Sequence, residues 1–308
     1  MQRKIIKQGA DSYTVTLPRA WVKESGLTGG DLLTLSELDG TLVLSPEKAA
    51  PKPRMITVDL KTRSHRDILN TLNQSYRKGF DKITLHYSKQ TDLAEINRIV
   101  KNTMLGFEVT IEEKGTCTIE NIAEPSPDKF ETIFKKLSYL FKTEAREIIS
   151  DIKTNNFQTL LREQQKNQIH LYTNYLRRTL ICSRAETKAN SHLLYYIISQ
   201  LSLAQHSYYY LHERTSKQKK QLSKKVIDQL EMTLELSSLL FDALFKKDMA
   251  FSFRIQELKK NYYEKFFTTT ATQCVGTDVI GISHTSEIVL LLHMAGTAAL
   301  GYLFTPQE

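Results

Sequence analysis

Signatures of nucleotide and hydrolytic chemistry are missing from this 308-residue chain. It contains no GxxxxGK followed by Ser or Thr, no GxGxxG, no GxSxG and no HExxH. Phosphate-loop, dinucleotide, nucleophile-elbow and zinc-protease readings therefore have no support, and no enzyme activity and no cofactor are expected. Cysteine is scarce: Cys117, Cys182 and Cys274 lie far apart and form no CxxC pair. That excludes a disulfide scaffold or zinc ribbon and points to a reducing compartment. The opening MQRKIIKQGADSY lacks an apolar signal region, so a cytoplasmic location is expected. Seven prolines and twelve glycines leave no room for long disordered stretches. Long apolar runs are also rare. Residues 288–304 carry no formal charge, but they include His293, Thr297 and the small residues Ala295, Gly296, Ala298, Ala299 and Gly301. A single segment at the short end for a bilayer, rich in small residues, reads as a closely packed core helix without stable membrane insertion.

What is present is polarised. The net charge is +8, and its distribution says more than its total. Residues 1–23 carry Arg3, Lys4, Lys7, Arg19 and Lys23 against Asp11 alone. Residues 24–48 reverse this, with Glu24, Asp31, Glu37, Asp39 and Glu47 against Lys48. A second basic run at 214–225 (RTSKQKKQLSKK) supplies Arg214, Lys217, Lys219, Lys220, Lys224 and Lys225 with no acid. It reads as a solvated turn between helices that can also serve an acidic partner or an anion.

Along the chain, residues 3–7 and 13–17 read as short strands around a turn at 8–12. Pro18 and Gly26 then bracket a short helix. Residues 32–38 and 41–44 flank Asp39-Gly40, a strong hairpin turn. So few elements in 48 residues bury little core, and the obvious partner is a second copy. A Pro-containing linker covers 49–54. Strands at 55–60, 82–87, 107–112 and 115–120, with helices at 64–78 and 92–104, give a βαβαββ module. From residue 127 helical patterns take over, at about 127–154, 157–182, 187–213, 218–246, 249–272 and 284–304. Phe130, Ile133, Phe134, Leu137, Leu140 and Phe141 form an apolar stripe in the first. Leu230, Leu234, Leu239, Leu240 and Leu244 do so in the fourth. A weak echo between the turns after Asp151 and Asp242 suggests two three-helix halves.

Residues 3–46 (RKIIKQGADSYTVTLPRAWVKESGLTGGDLLTLSELDGTLVLSP) resemble the AbrB/SpoVT/MazE swapped-hairpin DNA-binding domain. Arg3-Lys4-Ile5, Gly9, Ser12, Val15-Thr16-Leu17-Pro18, Trp21, Gly26-Leu27, Gly30-Asp31, Leu42-Val43-Leu44 and Pro46 carry the resemblance. It implies an intertwined homodimer that contacts DNA through Arg3, Lys4, Lys7, Arg19 and Lys23. Lys and Arg neutralise phosphates, and Arg also suits bidentate contact with guanine edges.

The helical region resembles PhoU domains through six helices in two halves, Leu171-Tyr172, Leu176-Arg177-Arg178, and its position after a swapped hairpin. That likeness implies phosphate signalling, with a transporter or sensor kinase as partner. PhoU proteins often carry clustered carboxylates for metals. Here Glu163 is followed by the amides Gln164, Gln165, Asn167 and Gln168, and lysines separate Glu257 from Glu264. Hard cations need clustered charged oxygens, so no tightly bound metal is expected. The eight histidines read as surface or hydrogen-bonded core residues, since His192, His206 and His212 do not share metal-ligand spacing. Tyr195-Tyr196 and Tyr208-Tyr209-Tyr210 read as aromatics spanning core and rim.

These readings give a multidomain α+β chain: a swapped-hairpin β domain at 1–48, a small α/β module at 55–120, and a six-helix PhoU-like domain at 127–308. The expected function is transcriptional regulation of phosphate uptake by a DNA-binding homodimer. The alternatives are a PhoU-like adaptor whose hairpins serve only as a clasp, and an antitoxin. The antitoxin reading ranks last because a folded remainder replaces the usual short disordered tail.

Overall fold

Turn chemistry shapes the first 46 residues. The computed structural model describes all residues except 1, 10, 39, 47–52, 61–63, 89, 114, 183–187, 219 and 305–308. β1 (Ile6–Lys7) pairs antiparallel with β2 (Tyr13–Thr14). Gln8 N–H closes their turn by donating to Ser12 O at 2.8 Å. These strands are shorter than the 3–7 and 13–17 the sequence suggested. Among the described residues, nothing in the unit pairs with their outer ends, so the ladder stops. Pro18 precedes α1 (Arg19–Glu24). The helix ends in a Schellman motif: Gly26 N–H donates to Lys23 O at 3.2 Å and Leu27 N–H to Val22 O at 3.0 Å. Gly26 has φ +67°, which only glycine adopts without strain. β3 (Leu33–Leu38) and β4 (Thr41–Pro46) then form an antiparallel hairpin. Of its turn, Asp39 lies outside the described residues. The chain divides into two compact units, Met1–Pro53 and Arg54–Glu308.

The second unit begins with a four-stranded sheet in the order β5-β6-β8-β7. β5 (Met55–Asp59) runs parallel to β6 (Lys82–His86), which is antiparallel to β8 (Thr116–Asn121), and β8 is antiparallel to β7 (Phe107–Glu113). α2 (His65–Arg77) starts at a capping box in which Ser64 and Asp67 bond reciprocally. Ile68, Leu72 and Tyr76, at i, i+4 and i+8, bury one side of it. With α3 (Gln90–Thr103) it closes a core containing Ile83, Leu85, Ile96, Ile99, Cys117 and Ile119.

The bundle follows. α4 (Phe130–Thr154), α5 (Thr159–Cys182) and α6 (Lys188–Ser216) contact one another, as do α7 (Lys224–Lys246), α8 (Met249–Asn261) and α10 (Thr277–Leu303). The two triads meet through α6 against α10 and α4 against α7, and all six helices share one apolar core. α4 and α7 both end on a left-handed residue, Asn155 at φ 55° and Lys247 at φ 54°. α8 continues through a π-helical stretch, Tyr262–Phe267, and α9 (Thr268–Thr270). There the adjacent hydroxyls of Tyr262 and Tyr263 both reach Ser286, at 2.7 and 3.1 Å.

Two helix starts differ from the sequence reading. α7 begins at Lys224 rather than 218, because Leu222 is buried and Ser223 N–H is held by the Asp278 carboxylate at 2.7 Å. α10 begins at Thr277 rather than 284. Gly281 does not break it; a Cβ there would lie 2.6 Å from Val226 Cγ1, so the glycine permits close packing. α10 is long and apolar enough to cross a membrane by length and composition. Within the bundle, Ile288, Val289, Leu292, Ala295 and Ala299 are fully buried against its neighbours.

The side chain with the most bonds between the α/β layer and the bundle is charged. Arg178 on α5 is 2% exposed. It donates to Glu124 at 2.8 and 2.9 Å, to the carbonyls of Tyr76 and Phe80 at 2.9 Å each, and to Asp81 at 2.6 Å. Its guanidinium also lies against the rings of Tyr76 and Phe107. Burying a charge is tolerated when pairing is this complete.

Candidate nucleic-acid interface

In the first unit no described residue is buried. Ile5 is 72% exposed, Tyr13 67%, Leu35 59% and Leu42 61%. The hairpin register places Leu35 opposite Leu44, Leu33 opposite Pro46 and Leu42 opposite Glu37, so alternate residues form one mainly apolar face with Glu37 at its turn end. Several large apolar side chains left in water on one face mark an interaction surface. The Thr28–Asp31 turn is fixed by the Asp31 carboxylate, which accepts from Thr28 N–H at 2.6 Å and from its hydroxyl at 3.0 Å.

The five cations singled out in the sequence are all exposed here. Arg3 and Lys4 precede β1, Lys7 lies on it, and Arg19 and Lys23 stand on α1. Lys7 lies opposite Tyr13 across the strand pair. None of the five forms an ion pair among the described residues. Exposed guanidinium and ammonium groups suit phosphate oxygens, and the planar guanidinium suits bidentate contact. Next to exposed aromatic and aliphatic side chains, this is the chemistry of a surface completed by another macromolecule.

The second basic run is arranged differently. Arg214, near the end of α6, donates from Nη1 to His284 Nε2 at 3.0 Å and lies over the Tyr210 ring. Lys217 pairs with Glu213 at 2.7 Å. Lys220 and Lys224 are exposed, and Lys225 rests its ammonium 5.7 Å from the Phe266 ring centroid. Lys219 lies outside the described residues. Local partners thus take up part of the charge that the sequence presents as a run.

The amide-rich turn of α5 meets α3. Gln164, Gln165, Asn167 and Gln168 line a cavity of about 460 Å³ with Lys101 and Asn102. Among the described residues, no group of three or more His, Cys, Asp or Glu side chains is placed to hold a metal ion. The tyrosine runs do span core and rim: Tyr208 is 1% exposed, Tyr210 43% and Tyr196 37%. Sequence spacing missed a buried pair, His212 Nε2 to the Asp151 carboxylate at 3.0 Å, and a Ser207 hydroxyl 2.8 Å from His284 Nδ1. Both join residues more than sixty positions apart, which no local spacing reveals.

Compared with known families, residues 6–52 match the model described as "Antidote-toxin recognition MazE, bacterial antitoxin". No curated protein and no solved structure matches the chain. The matched segment covers both hairpins, α1, and the exposed cations from Lys7 onward. The chain therefore carries a MazE/AbrB-type N-terminal domain, followed by a mixed α/β module and a bundle of about six long helices.

Proposed function

We propose that this chain is a non-enzymatic DNA-binding transcription regulator that acts as a homodimer. The hairpins of two copies interlock over the apolar face containing Leu35 and Leu42. This places Arg3, Lys4, Lys7, Arg19 and Lys23 of both copies on one positive surface. One observation carries the reading: a MazE/AbrB-type segment in which no described residue is buried, with exposed Lys7, Arg19 and Lys23 in it and Arg3 and Lys4 just before it, none ion-paired among the described residues. The 54–308 unit is the regulatory body. Its resemblance to PhoU domains, through the six-helix pattern and the Leu171–Arg178 string, makes phosphate uptake the process we assign to it. A transporter or sensor kinase is then its protein partner.

The test is DNA binding by the full chain, using fragments from its own upstream region, across a salt series. Each phosphate contact contributes about 0.9 to the slope of log K against log salt. Arg3→Ala/Arg19→Ala removes four arginines per dimer, so the slope falls by between about 3 and 4. An unchanged slope and affinity would remove DNA contact from these residues and leave the hairpins as a dimer clasp. A second reading, antitoxin-type regulation, is favoured by the description of the matched family. Rescue of growth from a co-expressed neighbouring toxin, independent of Arg3 and Arg19, would select it.

A further inference from the structure

Next to Arg178 in sequence, Arg177 is also buried, at 5% exposure, but its Nε and Nη2 have no hydrogen-bond partner among the described residues. The Arg177 side chain is part of the lining of a cavity of about 330 Å³ between three helices. Each helix contributes one face: Leu69, Asn73 and Arg77 from α2, His170 and Arg177 from α5, and Ser199, Leu203 and His206 from α6. The lining contains two guanidiniums, two imidazoles, amides and hydroxyls, but no Asp or Glu. Arg77 is held in place, with Nε donating to Asn174 Oδ1 at 2.8 Å and Nη2 3.3 Å from His170 Nε2. Asn174 is fixed in turn by donating to Asn73 Oδ1 at 3.0 Å and Thr103 O at 2.9 Å.

The electrostatics of the lining are one-sided. Burial, then the neighbouring Arg77, pulls the Arg177 guanidinium down to about 9. Burial, then His206 and Arg77, pushes His170 down to about 3. Burial, then Lys166 and Arg177, takes His206 to about 4. Both imidazoles are therefore neutral at pH 7, and Arg77 meets His170 Nε2 as an acceptor. An isolated buried cation costs several kcal/mol unless an anion meets it. Arg178 has its anions within the chain, whereas Arg177 faces a cavity with none.

We propose that this cavity is a binding site for a small oxyanion of the phosphate or phosphomonoester class, held bidentately by Arg177 with Arg77, Asn73 and the Ser202 hydroxyl as further donors. A planar guanidinium matches two oxygens of one such group. The volume also admits a small organic substituent on the phosphoryl group. The lining comes from both the α/β layer and the bundle, so an occupant fastens the two together. The site lies within residues 54–308, and its test involves no DNA, so it stands or falls separately from the DNA-binding reading.

The experiment is thermal unfolding and calorimetric titration of the full chain with inorganic phosphate, glycerol phosphate, sulfate and succinate, against chloride at matched ionic strength. At about a hundredfold excess over Kd, the occupied site raises the unfolding temperature by roughly 5 to 10 °C. A larger response to glycerol phosphate than to phosphate identifies a phosphomonoester, and the reverse identifies the free ion. Arg177→Met abolishes the response and raises the unfolding temperature in anion-free buffer, because it removes an unpaired buried charge. Arg77→Gln weakens binding by about tenfold or more. The proposal is overturned if no oxyanion shifts unfolding at 10 mM (about a hundredfold over a Kd near 0.1 mM). It also fails if succinate alone does so, or if Arg177→Met retains the wild-type response.

Discussion

The two units of this chain treat charge and apolar surface in opposite ways. In Met1–Pro53 no described residue is buried, and cations and aliphatic side chains share the surface. In Arg54–Glu308 two apolar cores are closed, and even guanidinium groups lie inside. Fully burying a Leu or Ile stabilises by about 1.5–3 kcal/mol, so the second unit has ample internal driving force. The first has little and must draw its stability from another surface. Charge follows the same division. A cation in water binds phosphate through proximity and counterion release, while a cation in a core must be matched atom by atom.

The largest expected effect lies where the second unit matches charge most completely. Arg178→Ala removes the buried cation from the carboxylates of Glu124 and Asp81 and a donor from two carbonyls, leaving Glu124 only Asn121 and Asp81 only the Arg54 N–H among the described residues. Breaking a buried pair costs about 3–5 kcal/mol, so the unfolding temperature of this unit falls by roughly 10 °C. Calorimetry of the full chain measures it, and a loss below 1 kcal/mol would show that the buried network is not what joins layer to bundle. The contrast with Arg177→Met, expected to act in the opposite direction, makes two adjacent arginines a test of pairing rather than of burial.

Next in size is the effect on the first unit. Leu35→Asp puts a carboxylate in the middle of the exposed apolar face and raises the dimer Kd by about a hundredfold, or about 2.7 kcal/mol. Sedimentation at micromolar concentration should show monomer, with the unfolding of residues 54–308 unchanged. A variant that stays fully dimeric would move the interface away from the β3–β4 hairpin.

Much of this division was legible in the residues. The Asp39-Gly40 turn, the Pro18 and Gly26 brackets and the βαβαββ order all rest on local chemistry, and local chemistry is what a sequence displays. The exposed cations were legible for the same reason: Arg3 to Lys23 lie close together along the chain. The helix starts at 224 and 277 were not, because Leu222, Asp278 and Gly281 are set by contacts between helices rather than by their neighbours in sequence. The oxyanion cavity was hidden more deeply. Arg177 stood in the sequence only as part of a family-like string, and Arg77, His170 and His206 approach it from more distant positions. Nothing in the spacing distinguishes a saturated Arg178 from an unpartnered Arg177.

A pH-dependent effect probes another of the bundle's buried titratable groups. Glu144 on α4 is 2% exposed, and Gln205 Nε2 donates to it at 3.1 Å. Burial pushes its carboxyl up to about 8, against the weaker pull of Gln205 and Arg162. Between the unfolded value near 4.3 and that raised value, the folded state holds a proton that the unfolded chain has lost. Stability from this group is therefore complete below about pH 4 and declines as pH rises towards 8, by at most about 1.4 kcal/mol per pH unit. Glu144→Gln keeps the shape, removes the titration and flattens that part of the profile, so its advantage over wild type grows from pH 5 to pH 8. Urea midpoints across that range give the answer. Parallel profiles would mean that Glu144 stays ionised in the fold, paired with the cationic side of Arg162 and Lys166. The bundle would then match this charge as completely as it matches Arg178.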